Sequence, residues 1–362
     1  DALDGFEGTV CFNITGHTLE YLLNNDQEII ESIKSLIKKH SIELLLTGYS
    51  HPILPLLPYS RIKTQLKSHL EILKKNFNIT PIGAWPPELA VSPIVLENLK
   101  QLGIRWVVVD QEHFDLTKKF SNDQNLFERR KETITESLGT AFWSKGIVNT
   151  IINYRRTLKK VRNHMQDLTQ PLQMSHVENL SLVLSSQSWW NATKIAISNG
   201  VSLFKTTHLL KEIIKSQAWY IPLYTSDIEF FGFREFGGKI PSPNSLIKFL
   251  KELNNIDIET ISPSNIPQSE WNNNPTFIGS GSWSPDKSFR IWTDSEDNRE
   301  YNRRLREIYS KLEKNYPNNE FNSEIERLLR ITENSDTRGW APLPERKLEA
   351  YRAIKELYNN IF

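Results

Sequence analysis

Cysteine, charge bias and long apolar runs are all scarce in this sequence, and each shortage removes a class of explanation. Its 362 residues include one cysteine, Cys11, so no intrachain disulfide can form and a thiolate-cluster metal site is excluded. Lys and Arg total 44 against 43 for Asp and Glu, a net charge of +1. No basic excess is available to neutralise phosphates, which argues against nucleic acid as the main partner. No window approaches the about 18 consecutive apolar residues of a membrane span, so no membrane partner is expected. No basic stretch leads into an apolar one, hence no signal peptide is visible and a cytoplasmic location is expected. The chain opens at Asp1 without methionine, just ahead of a strand-like run, and so reads as processed or truncated.

Familiar catalytic signatures are also missing. The histidines stand at 17, 40, 51, 69, 113, 164, 176 and 208, never within five residues of one another. H-x-x-x-H, H-x-x-x-x-H and the zincin H-E-x-x-H are therefore absent. There is no Walker A loop, no G-x-G-x-x-G and no G-x-S-x-G elbow. Neither a cofactor nor a metal is expected.

What is present, 38% hydrophobic and 24% charged residues, is ordinary for a folded protein. The length suits one large domain with an appendage, or two domains. Thr9–Ile14, Glu43–Thr47, Ile82–Trp85 and Arg105–Val109 read as buried strands. Helical spacing falls between them at His17–Leu23, Glu28–Lys39, Arg61–Phe77 and Pro93–Leu102. That alternation implies parallel strands buried on both faces, and an α/β fold. The acids Glu88, Asp110 and Asp227 each stand at or just after a strand end, the edge where chemistry collects in a parallel barrel, so a βα barrel is favoured over an open sheet. Asp115–Ser137 is charged and reads as an excursion over the barrel mouth. From about residue 255 the chain turns to Asn, Ser, Pro and Gly, then to helical patterns at Arg299–Tyr316, Asn322–Ile331 and Pro344–Ile361. The expected division is a barrel over 1–254 and a mainly helical C-terminal domain over 255–362.

Two carboxylates invite a chemical reading. Glu88 follows Trp85-Pro86-Pro87, whose prolines fix the backbone leading into it. A nucleophile or acid/base needs such rigidity, because misplacement by about 1 Å can cost ~10²-fold in rate. The alternative is a Glu that opens the next helix at the positive end of its dipole. Asp227 follows an apolar strand and stands beside Glu229 and the aromatics Phe230, Phe231 and Phe233. Apolar surroundings raise a carboxyl's pKa as a general acid requires, though an Asp N-cap fits the same position. Ten tryptophans, with Trp271, Trp283, Trp292 and Trp340 in polar loops, suit stacking on sugar rings.

These segments together resemble the glycoside hydrolase family 57 group of α-glucan-active enzymes: α-amylase, 4-α-glucanotransferase and branching enzyme. Gly83-Ala84-Trp85-Pro86-Pro87-Glu88-Leu89-Ala90 is similar to the family's Trp-x-Pro-Glu region, whose glutamate is the nucleophile. Ser226-Asp227-Ile228-Glu229-Phe230-Phe231-Gly232 resembles its Asp-x-Glu-x-Phe-Gly region, whose aspartate is the general acid/base. Thr47 to Leu56 is similar to the second region and puts His51 near the sugar. Gly281-Ser282-Trp283 through Trp292, and Glu333 to Trp340, resemble C-terminal elements of the glucan cleft. The resemblance thus implies catalytic Glu88 and Asp227, with His51, Trp85, Glu229, Phe231, Trp283, Trp292 and Trp340 binding an α-glucan or maltooligosaccharide. It also implies a (β/α)7-type barrel with a helical C-terminal domain and a retaining reaction. The family's first region, a His-Gln-Pro-like strand, would precede Thr9, where only eight residues stand. Phe233 and Arg234 follow the Gly where many members carry His. Two alternatives remain open at this point. One is a carbohydrate-binding relative without turnover; the other is a metal-dependent polysaccharide deacetylase, which would need histidines gathered by folding.

Overall fold

A computed structural model describes residues 8–120, 172–186, 240–255, 258–317, 321–339 and 344–362, together with isolated positions between 193 and 232. In chain order its main elements are β1 (Val10–Phe12), α1 (Gly16–Asn25), α2 (Gln27–Lys38), β2 (Ile42–Leu44), α3 (Tyr59–Phe77), β3 (Gly83–Ala84), α4 (Pro93–Gln101), β4 (Trp106–Asp110) and α5 (Gln111–Phe120). There follow β5 (Leu172–Ser175), β6 (Ser181–Ser185), α6 (Pro243–Asn254), β7 (Asn272–Thr276), α7 (Arg290–Thr293), α8 (Glu296–Asn315), α9 (Ser323–Glu333) and α10 (Pro344–Ile361). The helices expected from periodicity form within a few residues of their sequence limits. Their starts have local causes: the side chains of Thr15, Ser92, Ser295 and Asn322 accept backbone N–H groups at the first turns of α1, α4, α8 and α9. Asn78 ends α3 in the left-handed conformation that asparagine tolerates well.

The chain divides into two compact units, each drawn from several stretches of sequence. The first comprises 1–12, 32–43 and 106–278. In it β4 and β6 pair in parallel, Trp106 against Ser181 through Asp110 against Ser185, and every residue of both strands is buried. That is the two-sided burial expected of a parallel sheet. However, β5 runs antiparallel to β6, because the five residues 176–180 are too few for a crossover. β7 pairs with β5 on the side away from β6. Asp110 is fully buried, and its Oδ1 accepts the His113 N–H at 2.8 Å, capping α5. Part of the expected excursion, 115–120, is therefore helix, because this cap starts α5 directly after β4; the remainder lies outside the described residues.

The second unit comprises 13–31, 44–105 and 279–362. On α3, Ile62, Leu66, Leu70 and Leu73 enter the core, as do Val95, Leu96 and Leu99 of α4. The C-terminal helices bury Leu305, Ile308 and Leu312 of α8, Ile325, Leu328 and Leu329 of α9, and Ala353, Ile354 and Leu357 of α10. Each set recurs at three- and four-residue intervals, the stripe a packed helix presents. No helix among the described residues is long and apolar enough to cross a membrane.

Candidate active site

Within the second unit, four loops meet around Glu88, the fourth being 279–289, which carries Trp283. The first leaves β3 through Trp85-Pro86-Pro87 and makes a tight turn closed by the Leu89 N–H to Pro86 carbonyl bond at 2.9 Å and the Ala90 N–H to Pro87 carbonyl bond at 3.0 Å. Glu88 and Leu89 both take left-handed φ, 57° and 46°. For side-chain-bearing residues such a conformation costs about 1–3 kcal/mol each and persists only where the surroundings over-determine it. Here Val91 and Gly281 exchange backbone hydrogen bonds at 2.9 and 3.0 Å, and the Trp283 N–H donates to the Glu88 carbonyl at 3.3 Å. Glu88 does not open a helix: α4 starts five residues later, on its own Ser92 cap.

The second loop, 47–52, carries His51, also at positive φ, 59°. A Cβ on Gly48 would stand 2.5 Å from Pro52 Cδ within the same loop and 3.3 Å from Pro87 Cγ of the first loop, so the tight turn of this second loop requires glycine there. Behind the loop lies His69, fully buried. Its Nδ1 accepts the Thr47 N–H at 3.0 Å and its Nε2 bonds the Ile14 carbonyl at 2.9 Å. Burial lowers its pKa to about 4, against the opposing pull of the Ile14 carbonyl, so this ring is neutral and structural.

The third loop follows α9 and carries Ser335 and Asp336. The Ser335 N–H donates to the His51 carbonyl at 3.0 Å, tying the two loops together.

The side chains converge on the carboxylate. Glu88 Oε2 accepts the Trp283 Nε1–H at 2.5 Å, and Oε1 accepts the Ser335 hydroxyl at 3.2 Å. Ser335 Oγ also bonds His51 Nδ1 at 2.8 Å, and that nitrogen stands 4.0 Å from Glu88 Oε1. The Glu88 and His51 side chains remain 17% and 28% exposed, enough for an incoming ligand to reach them. Potential ligand atoms of His51, Glu88 and Asp336 lie within 4.8 Å of one another, a reach that would admit a cation. Both Glu88 oxygens are already held by Trp283 and Ser335, and Asp336 by Arg346, so the arrangement reads as a hydrogen-bond network.

The structure therefore brings Glu88, His51 and Trp283 together, while Trp85, partly buried, is on the same loop as Glu88. Phe231 is partly buried and belongs to the first unit. Asp227, Glu229 and Trp340 lie outside the described residues. The expectation of exposed loop tryptophans meets a clear difference at Trp292, which is 2% exposed and packs with Ile53 and Ala90. Trp271 is likewise buried, at 6%. An indole in a polar stretch still gains more by burial than by exposure when a helix turn, here α7, carries it inward. Ser335 is the contact that reading by motif missed, since a lone serine carries no spacing signal.

Residues 3–141 match the model of glycosyl hydrolase family 57. Among curated proteins, an α-amylase of Pyrococcus abyssi is 31% identical over 115 residues, which is 32% of this chain and 17% of that protein. A 4-α-glucanotransferase of Thermococcus kodakarensis is 28% identical over 105 residues, 29% of this chain and 16% of that protein. Among solved structures, 4-α-glucanotransferase from Thermococcus litoralis superposes with a TM-score of 0.65 at 14% identity, over 100% of this chain and 55% of its own. The family 57-type branching enzyme of Pyrococcus horikoshii gives 0.58 at 16% identity, over 93% of this chain and 66% of its own. The chain thus spans about half to two thirds of these solved relatives. Such structural likeness establishes the fold, the (β/α)7-type barrel with helical additions that the motifs implied.

Proposed function

We propose, from the place in glycosyl hydrolase family 57 that residues 3–141 give this chain, that it is a retaining glycoside hydrolase or transglycosylase acting on α-1,4-linked glucans. Glu88 is the nucleophile and Asp227 the acid/base. The observation that carries the reading is the Glu88 carboxylate: partly exposed, mounted on a strained turn, and fixed by donors from two other loops. A group so held is positioned before substrate arrives, which is how enzymes lower the cost of reaching the transition state.

In the proposed reaction Glu88 attacks the anomeric carbon as the glycosidic C–O bond breaks, and Asp227 gives its proton to the leaving oxygen. Water or an acceptor sugar then attacks the glycosyl-enzyme, and Asp227 takes the proton back. A retaining pair needs its carboxyls about 5–5.5 Å apart. Trp283, whose indole N–H is on the nucleophile, and Trp85 beside it offer ring faces to the sugar. The proposal includes a catalytic barrel over 1–254, a helical domain over 255–362 and a cytoplasmic setting; limited proteolysis and cell fractionation check these.

The test is turnover of maltoheptaose followed by chromatography, comparing wild type with Glu88→Gln. We expect products from the wild type and a loss on the order of 10³-fold or more in the variant. Equal rates, or no products from either, reject the catalytic reading; in the second case, retained oligosaccharide affinity would indicate a binding protein.

A further inference from the structure

Ser335 is 1% exposed and its single hydroxyl stands between two groups, each of which wants a proton from it or offers one. It donates to Glu88 Oε1 at 3.2 Å and bonds His51 Nδ1 at 2.8 Å. A hydroxyl has one hydrogen, and an ionised carboxylate can only accept. With that hydrogen on Glu88, the 2.8 Å contact is a bond only if His51 Nδ1 carries a proton and donates it to Oγ. The 4.0 Å approach of Nδ1 to the same carboxylate oxygen favours the same tautomer.

We propose that Ser335 is a positioning residue that locks His51 as its Nδ1–H tautomer and orients Glu88, so that His51 Nε2 serves as a hydrogen-bond acceptor for a hydroxyl of a carbohydrate. This inverts the simplest expectation for a histidine beside a sugar, that it donates. It follows that the preferred ligand presents an unmodified hydroxyl there, and that a methyl ether at that hydroxyl is rejected.

The mounting of Ser335 supports the assignment. Two residues before it, Glu333 is fully buried and accepts Arg61 Nε at 2.6 Å, Arg61 Nη2 at 3.0 Å, Gln65 Nε2 at 2.6 Å and Tyr309 Oη at 3.1 Å. Gln65 also accepts the Ser50 N–H at 2.9 Å and donates to Ser50 Oγ at 2.8 Å, immediately before His51. One buried carboxylate thus anchors both the loop that carries Ser335 and the loop that carries His51. The relay is held from behind, where substrate does not reach, as groups that set a tautomer usually are.

The proposal rests on the catalytic reading for its kinetic part and on geometry alone for its tautomer. The full chain, labelled with ¹⁵N-histidine, is compared by long-range ¹H–¹⁵N spectra as wild type, His51→Gln (to assign the ring), Ser335→Ala and Ser335→Thr. We expect a protonated Nδ1 and unprotonated Nε2 for His51 in the wild type, a mixture of tautomers in Ser335→Ala, and restoration in Ser335→Thr, all at unchanged thermal midpoint. On maltoheptaose, kcat of Ser335→Ala falls about 10- to 100-fold with KM changed much less, in line with other orienting groups. An Nε2–H tautomer in the wild type overturns the proposal, as does a Ser335→Ala protein whose His51 spectrum is that of the wild type. A wild type that binds glucan without turning it over removes the catalytic reading, while the His51 spectra still decide the tautomer.

Discussion

At Gly48 the requirement is steric. A Cβ there would stand 2.5 Å from Pro52 Cδ of its own loop and 3.3 Å from Pro87 Cγ of the loop that carries Glu88, so Gly48→Ala must distort the turn that presents His51 and press on its neighbour. We expect a loss of about 1–3 kcal/mol in urea unfolding, and reduced glucan turnover in the folded fraction. His69 gives a pH dependence instead. Burial puts its folded pKa at about 4, below the ordinary value of about 6.5, so between those limits the unfolded chain binds a proton that the folded one refuses. Its contribution is complete above about pH 6.5 and is lost as pH falls toward 4, on the order of 3 kcal/mol in all. Urea midpoints measured from pH 7.5 to 4.5 should decline, and decline less steeply in His69→Gln; an equal slope in the two proteins would remove His69 as the cause.

Helix α3 shows how one element serves both packing and site. Its apolar stripe was plain in the periodicity of Arg61–Phe77. The polar residues Arg61, Gln65 and His69, spaced four apart, look in sequence like a solvated ridge, yet all are buried. They meet Glu333, Ser50 and the Thr47 backbone respectively, partners supplied by other loops and helices of the same unit. Desolvation alone would lower the Arg61 pKa, but Glu333 and Glu326 hold it well above the usual arginine value. Arg61→Met leaves Glu333 buried without its cation and should cost about 3–5 kcal/mol, whereas Arg61→Met with Glu333→Met should recover much of it. Guanidinium denaturation of both variants checks this. At the opposite extreme, β7 reads Asn-Asn-Asn-Pro-Thr, a sequence that strand propensity would never select. It is a strand because β5 pairs with it, and its proline is tolerated at a sheet position with few neighbours. Ser181–Ser185 was the converse, a short apolar run whose burial on both faces could have been read from composition.

Across the whole molecule, neither compact unit is a continuous piece of chain. The second takes its C-terminal helices from 279–362 but depends on α3, which supplies Arg61 to Glu326 and Glu333 of α9. A fragment of residues 279–362 expressed alone should therefore lack cooperative unfolding and show poorly dispersed NMR spectra, despite carrying α8, α9 and α10. A cooperatively folded fragment would show that α3 is dispensable. Exposed pairs along α8, such as Arg303 with Glu300 and Glu307, contribute little to this balance and should leave stability nearly unchanged when salt is raised.

By itself the sequence determined the kinds of elements, the rigid presentation of Glu88 after its two prolines, and the family resemblance, because each depends on residues close together in the chain. Only the tertiary structure decided what surrounds that carboxylate. Trp283 and Ser335 stand 195 and 247 positions from Glu88, and the Ser335 contact with His51 spans 284. Hydrogen bonds of that range leave no periodicity or spacing to read. The same reason separates Trp283 from Trp292, alike in sequence: one donates to Glu88, and the other packs in a core that only the folded chain creates.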